Sequence, residues 1–172
     1  MTTIMRPLYL RMLVVVVGLS LSGCVTPVTP PPAKRQAAFV ESEFAPYAGT
    51  GTSTITGQAF LKTRSGELRF GAGCEVVMVP VTPYTTETGE RAVLRNERLE
   101  APDPRYAAYR RTTIADGNGN FEFRNIPAGS YYLSCDIRWE YATQYGLSAT
   151  GGTAFGKTTV AAGATTKVIV TR

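Results

Sequence analysis

After Thr52 the chain alternates apolar and polar residues in short runs, and glycine, proline and Asx residues break the alternation at regular intervals. A period of two is the mark of a half-buried β-strand, because successive side chains point to opposite faces. Seven such runs stand out: Thr54 to Leu61, Cys74 to Val81, Tyr109 to Ala115, Asn120 to Arg124, Ser130 to Trp139, Phe155 to Val160 and Thr165 to Thr171. In the fifth, Tyr131, Leu133, Cys135, Ile137 and Trp139 share one parity, and Tyr132, Ser134, Asp136 and Arg138 share the other. The first set is expected to face a core and the second water. The second run is nearly all apolar and reads as a central strand. Short antiparallel strands with frequent turn signals predict an all-β fold, a seven-stranded, two-sheet Greek-key β-sandwich over residues 52–172.

Two segments fall outside this pattern. Residues 87–101 are rich in helix formers, but Val93, Leu94 and Leu99 make a poor helical stripe, so a short helix or an ordered loop is expected in the long link between the second and third runs. Residues 24–51 read as a tether. Val25 to Ala33 carries four prolines in nine residues and favours extended, polyproline-like chain. Phe39, Val40, Phe44 and Tyr47 are apolar for a linker, and that stretch is expected to lie against the sandwich.

The amino terminus fixes an address. Arg6 and Arg11 precede an apolar run from Met12 to Leu21, which ends in Leu21-Ser22-Gly23-Cys24. A basic start, a short apolar stretch and small residues at a cleavage point read as a secretory signal peptide over residues 1–23. The run is about half the ~20 apolar residues a spanning helix needs. The small-residue triplet closing on cysteine resembles the lipobox of bacterial lipoprotein precursors. That resemblance implies that Cys24 becomes the first residue of the mature chain and carries acyl chains such as palmitate on its sulfur and amine. Two or three chains, at ~0.8 kcal/mol per buried methylene, hold a protein stably where one does so only marginally. Val25, in place of Asp after the cysteine, implies an outer-membrane address in a Gram-negative host.

Removal of residues 1–23 leaves 149 residues with 16 basic and 13 acidic side chains. This balance is mild and scattered, and it argues against nucleic acid as a partner. The chain has no histidine, which excludes Ser-His-Asp and Cys-His nucleophile pairs, histidine bases and nearly all zinc sites. No metal or cofactor is expected. Cys74 and Cys135 remain, and in an exported protein an even pair reads as a disulfide, with two separate buried thiols as the alternative.

One motif points to a family. Asp116-Gly-Asn-Gly-Asn-Phe-Glu-Phe123 runs into Asn125-Ile-Pro-Ala-Gly129 and Tyr131-Tyr132. The Asx-Gly run supplies positive φ for a tight turn, Phe121 and Phe123 share a face, and Pro127 and Gly129 suit a second turn. This pattern resembles the carboxypeptidase regulatory-like, or transthyretin-like, sandwich family over about residues 52–172; Gly57-Gln58-Ala59-Phe60 and the Gly71-Ala-Gly73 turn add to the likeness. The resemblance implies a transthyretin-like sandwich without a catalytic domain. Family members serve as stalks, adhesion modules and secretion-apparatus lipoproteins, and fold alone does not choose among them.

Other constellations are weaker. Asp116, Asn118 and Asn120 are spaced like the start of an EF-hand loop, but Phe121 and Pro127 stand where that loop needs Gly and Glu. Gly156-Lys157-Thr158 lacks the context of a phosphate loop. Glu75, Glu122 and Asp136 are expected on solvent-facing strand positions, which leaves a cell-wall or polysaccharide-active enzyme as a remote alternative. The link carries Tyr84, Arg91, Arg95, Arg98, Arg105, Tyr106 and Tyr109 among acidic residues. Long loops on rigid sandwiches carry recognition, and Tyr and Arg dominate binding hot spots, so these seven form the candidate binding loop. The sequence thus points to a non-catalytic, lipid-anchored protein of the cell envelope. Its sandwich binds or scaffolds another envelope component, a protein or a glycan; a lipoprotein subunit of a secretion or surface machine is the alternative.

Overall fold

Eight strands, β1 Ser53–Lys62, β2 Leu68–Phe70, β3 Glu75–Pro80, β4 Arg111–Ile114, β5 Asn120–Ile126, β6 Gly129–Thr143, β7 Gly146–Val160 and β8 Thr165–Val170, form two sheets. The computed structural model describes residues 30–172, so the signal segment, the lipobox and Cys24 lie outside the described residues. In the first sheet β1 is central. It pairs antiparallel with β5 and, at its far end, with β2, and parallel with β8. The second sheet has the order β4-β3-β6-β7 and is antiparallel throughout. The fold is the expected β-sandwich, with three corrections.

Among the described residues there are eight strands and not seven. β2 has three residues, too few for an alternation to show, and it exists because it closes a hairpin on Phe60, Leu61 and Lys62. The β1–β8 pairing is parallel. These strands open and close the sandwich, and no tight turn between them dictates an antiparallel arrangement. Finally, β6 and β7 run 15 residues each, well past the expected ends. Gly146, Gly151, Gly152 and Gly156 hide the strand character of β7, since glycine is depleted from strands. Gly151 is needed there: a Cβ on it would stand 2.2 Å from the carbonyl oxygen of Ile137 on β6.

The core lies between the two inner faces and follows the parity in the sequence. Ile55, Ala59 and Leu61 of β1, with Phe121 and Phe123 of β5, pack toward Val76 and Met78 of β3 and Leu133, Cys135 and Ile137 of β6, all 6 % exposed or less. Cys74 and Cys135 form a disulfide across the β3–β6 pair, with Cα atoms 6.2 Å apart. Val76 is the direct partner of Cys135, so Cys74 sits one step along the same inward face. Gly71 lies on the bridge, where a Cβ would come within 2.8 Å of Cys74 Sγ.

The family-like motif forms two turns. The Asp116 carboxylate accepts from the backbone N–H of Asn118 and Asn120, each at 2.8 Å, and closes the β4–β5 turn. At the β5–β6 connection the Tyr131 hydroxyl donates to the Pro127 carbonyl at 2.7 Å, and burial pushes that phenol up to about 12. Among the described residues no helix is long and apolar enough to cross a membrane.

Candidate functional site

The link between β3 and β4 begins with a short helix, α1 Pro83–Glu87, which continues as a wider turn to Leu94. The helical part therefore starts and ends earlier than the helix formers of residues 87–101 imply. Thr82 and Thr85 form a reciprocal capping box and Pro83 occupies the first turn, which sets the start. The wide turn ends at Arg95, and Asn96 follows with φ +54°.

The three link tyrosines come together with the residues that looked odd in a tether. Phe39 stacks on Phe44 at 4.5 Å, Tyr109 lies 5.0 Å from Phe44, and Tyr84 lies 5.6 Å from Tyr106. Tyr84 is 2 % exposed and Phe44 fully buried. Tyr84 also accepts from the Asp103 N–H through its hydroxyl at 2.8 Å. These rings make a small second core and are not a display of exposed hot-spot side chains.

The candidate arginines divide into two groups. Arg91 donates to Glu87, to Glu97 at 2.5 Å and to the Lys34 carbonyl at 3.0 Å. Glu87 also accepts from the backbone N–H of Gln36 and Ala37, each at 2.8 Å. Desolvation alone would raise the Glu87 carboxyl, but the N–H groups of Gln36 and Ala37 and the Arg91 guanidinium outweigh it and hold it below the usual range. Arg105 pairs with Asp103 at 2.8 Å and lies over the Phe39 ring at 4.7 Å. Arg95 and Arg98 are exposed.

The link is a cover for the outer face of the second sheet. Gly89 rests on Phe155, where a Cβ would be 2.8 Å from Cζ, and Thr86 shares a 3.1 Å hydrogen bond with the Tyr132 hydroxyl. Tyr132 and Phe155 stack at 5.2 Å beneath it. The space left between cover and sheet is about 60 Å³, room for a few waters only.

The outer face of the first sheet is different, and nothing in the local sequence pattern marks it out. Its outward residues on β1 are Thr54, Thr56, Gln58, Phe60 and Lys62, all at least partly exposed. Register places Lys167 of β8 and Glu122 of β5 on either side of Thr56, and Ile169 and Asn120 on either side of Gln58. Phe60 meets Phe70 of β2 edge-to-face at 6.2 Å. Phe70 is 41 % exposed, Leu68 45 % and Ile169 59 %. An open groove of about 680 Å³ crosses this face past Thr56, Glu122 and Lys167 to Ile114 and the Asp116 turn. Gln58 Nε2 donates to the Asn118 carbonyl at 2.9 Å, which orients its amide.

The three strand carboxylates singled out above are each paired with a neighbouring arginine at 2.8 Å: Glu75 with Arg110, Glu122 with Arg124 and Asp136 with Arg138. Among the described residues no three His, Cys, Asp or Glu side chains converge to hold a metal.

A known structure shares this architecture. Over 79 % of its length the chain is similar to the crystal structure of a Pseudomonas aeruginosa protein described as a "putative carbohydrate binding protein", with a TM-score of 0.71, 29 % identity and 99 % of that protein covered. The major pilin subunit BcpA of Bacillus cereus matches over 70 % of this chain and 29 % of its own, at 16 % identity and a TM-score of 0.39. No family model matches the chain, and no curated protein matches it.

Proposed function

We propose that this chain is a non-catalytic, lipid-anchored envelope protein whose β-sandwich binds a glycan. The observation that carries the reading is the likeness to the Pseudomonas aeruginosa protein, which spans 99 % of that chain and includes 29 % sequence identity. The Leu21-Ser22-Gly23-Cys24 lipobox supports the anchor, and Val25 after it supports the outer membrane as the destination in a Gram-negative host. The turn motif from Asp116 to Tyr132 supports a regulatory-like sandwich that works as a recognition module.

Two measurements test this. Labelled palmitate supplied to growing cells is expected to enter the wild-type protein and not Cys24→Ser, and only the wild type is expected to fractionate with membranes. The detergent-solubilised full chain is expected to be retained by envelope polysaccharide immobilised on beads and released by the same polysaccharide in solution. Failure of retention on every envelope polysaccharide fraction overturns the binding role.

A further inference from the structure

We propose that the outer face of the first sheet is the binding surface, and that its ligand is an acidic polysaccharide, one carrying carboxylate or phosphate groups along its chain. This rests on the reading that the sandwich binds a glycan, and adds the place and the ligand class.

The place follows from an asymmetry. A sandwich has two outer faces, and here the link spends its apolar residues covering one of them, with Gly89 on Phe155 and Thr86 on Tyr132. The other face keeps Leu68, Phe70 and Ile169 between 41 % and 59 % exposed, with Lys62, Phe60 and Gln58 of β1 as their register partners. From Thr54 to Lys62 the outward side chains of β1 form a continuous track ~26 Å long, at ~3.3 Å per residue. A linear polymer matches such a track, whereas a small compact ligand leaves most of it bare.

The chemistry of the track suits a sugar chain. Phe60 and Phe70 sit at one end as an edge-to-face pair. Aromatic faces carry negative charge density and accept the C–H-rich faces of pyranose rings. Gln58 and Asn120 lie side by side in the middle of the track. Both amides are oriented by the β4–β5 turn: Gln58 donates to the Asn118 carbonyl at 2.9 Å, and Asn120 Nδ2 to the Asp116 carboxylate at 3.0 Å. Groups held in place before binding lose little freedom when a ligand arrives.

The charge of the face selects among sugars. Glu122 is neutralised by Arg124 at 2.8 Å, and the Asp116 carboxylate is taken up by Asn118 and Asn120. Lys167 beside Thr56 and Lys62 at the far end of β1 have no carboxylate within 4.0 Å among the described residues. Measured along β1 from Thr56, the position of Lys167, to Lys62, they are ~20 Å apart. Two ammonium groups on one exposed track, with Glu122 paired to Arg124 and the Asp116 charge held within its own turn by the N–H groups of Asn118 and Asn120, complement negative charges repeated along a polymer. A neutral glycan can take hydrogen bonds from either lysine but gains no charge attraction from them.

The test uses the detergent-solubilised full chain, immobilised and titrated with polygalacturonate, with dextran of matched length, and with total envelope polysaccharide. Polygalacturonate is expected to bind at least tenfold more tightly than dextran, and to weaken as salt is raised. Lys167→Ala and Phe70→Ala are each expected to weaken it about tenfold, Lys167→Arg to retain it, and Arg138→Ala on the exposed side of β6 in the other sheet to leave it unchanged. Both altered side chains are exposed, so the fold survives their removal. Unchanged polygalacturonate binding in Lys167→Ala and Phe70→Ala overturns the site while the glycan reading stands. Equal binding of dextran overturns the acidic class. Binding of envelope polysaccharide without polygalacturonate or dextran also overturns the inference and keeps the reading. Binding of none of the three ends both.

Discussion

Gly119 is pressed against the backbone of Ala59. The Gly119 carbonyl accepts from the Ala59 N–H at 2.8 Å, and a Cβ on Gly119 would stand 2.4 Å from the Ala59 carbonyl oxygen. Its φ is +77°, in the left-handed region that costs an L-residue about 1 kcal/mol or more. Two residues earlier, Gly117 has ordinary φ and nothing within 4 Å of a Cβ. Gly119→Ala is therefore expected to destabilise the protein by more than ~2 kcal/mol, since the clash is with backbone that cannot move aside. Gly117→Ala should stay within ~0.5 kcal/mol of wild type. Urea denaturation of both variants checks this pair, and equal losses would show that the turn tolerates a side chain at either place.

The same turn gives a dependence on pH. The side-chain amide of Asn120 and the backbone N–H groups of Asn120 and Asn118 all donate to Asp116, and they hold its carboxyl below the usual carboxylate range. A depressed pKa in the folded state means that the unfolded chain takes up the proton first as pH falls. The stabilisation is thus complete above the unfolded value of ~3.9 and is lost as pH drops through the lower folded value. Asp116→Asn removes the titration. The stability gap between wild type and Asp116→Asn should be constant from neutral pH to about 5 and shrink below about 4. Urea midpoints measured across that range decide it, and a gap independent of pH would mean that the carboxylate contributes no charge-dependent bond.

The Cys74–Cys135 bridge closes a loop with a sequence separation of 61 residues. On the chain-entropy account a loop of that length restrains the unfolded state by about 4 kcal/mol. The double variant Cys74→Ser, Cys135→Ser should lose about that much, and reductant should bring the wild type down to the same level without affecting the variant. Gly71→Ala tests the packing over the bridge, because the new methyl meets Cys74 Sγ and Cys135 Sγ at 2.8 and 3.0 Å. A modest loss is expected there, abolished in the background that lacks both sulfurs.

What the sequence displayed, and what it concealed, follows from the range of each signal. Tyr131, Leu133, Cys135 and Ile137 announce an inward face because burial acts on every second residue of one strand, and all four are buried. The Asp116 and Pro127 turns are legible because each is closed by residues within four positions. The parallel partnership of β1 with β8 has no such local mark, and a three-residue strand such as β2 has no period. The link tyrosines carried the right prominence and a different role. Tyr84, Tyr106 and Tyr109 are large because they fill a second core with Phe39 and Phe44, which only the folded chain brings beside them. The open face was hidden for the opposite reason. Thr56, Gln58, Glu122 and Lys167 look like ordinary solvent positions, and their meaning lies in the register that lines them up and in the cover that the other sheet has and this one lacks.

The chain leaves the sandwich through a clasp on the link. Ala33 pairs with the link beside Leu99, donating to the Arg98 carbonyl at 2.8 Å and accepting from the Glu100 N–H at 3.0 Å. Arg35 N donates to Glu100 at 2.8 Å, and Gln36 and Ala37 donate to Glu87, which Arg91 also grips. Glu87 is the hub, since one carboxylate receives two backbone N–H groups and a guanidinium. Glu87→Gln keeps the shape of the hub and removes its charge, and charge-assisted bonds are about twice as strong as neutral ones. The strap should then open more often while the sandwich beneath keeps its urea midpoint to within ~1 kcal/mol of stability. Lys34 and Arg35 supply the readout, because trypsin cuts after either once the strap is out of its clasp. Cleavage there is expected to be several-fold faster in Glu87→Gln than in wild type at equal protease. An unchanged cutting rate would mean that the aromatic packing of Phe39 and Phe44 holds the strap unaided, and the ion cluster would then be a consequence of the docking.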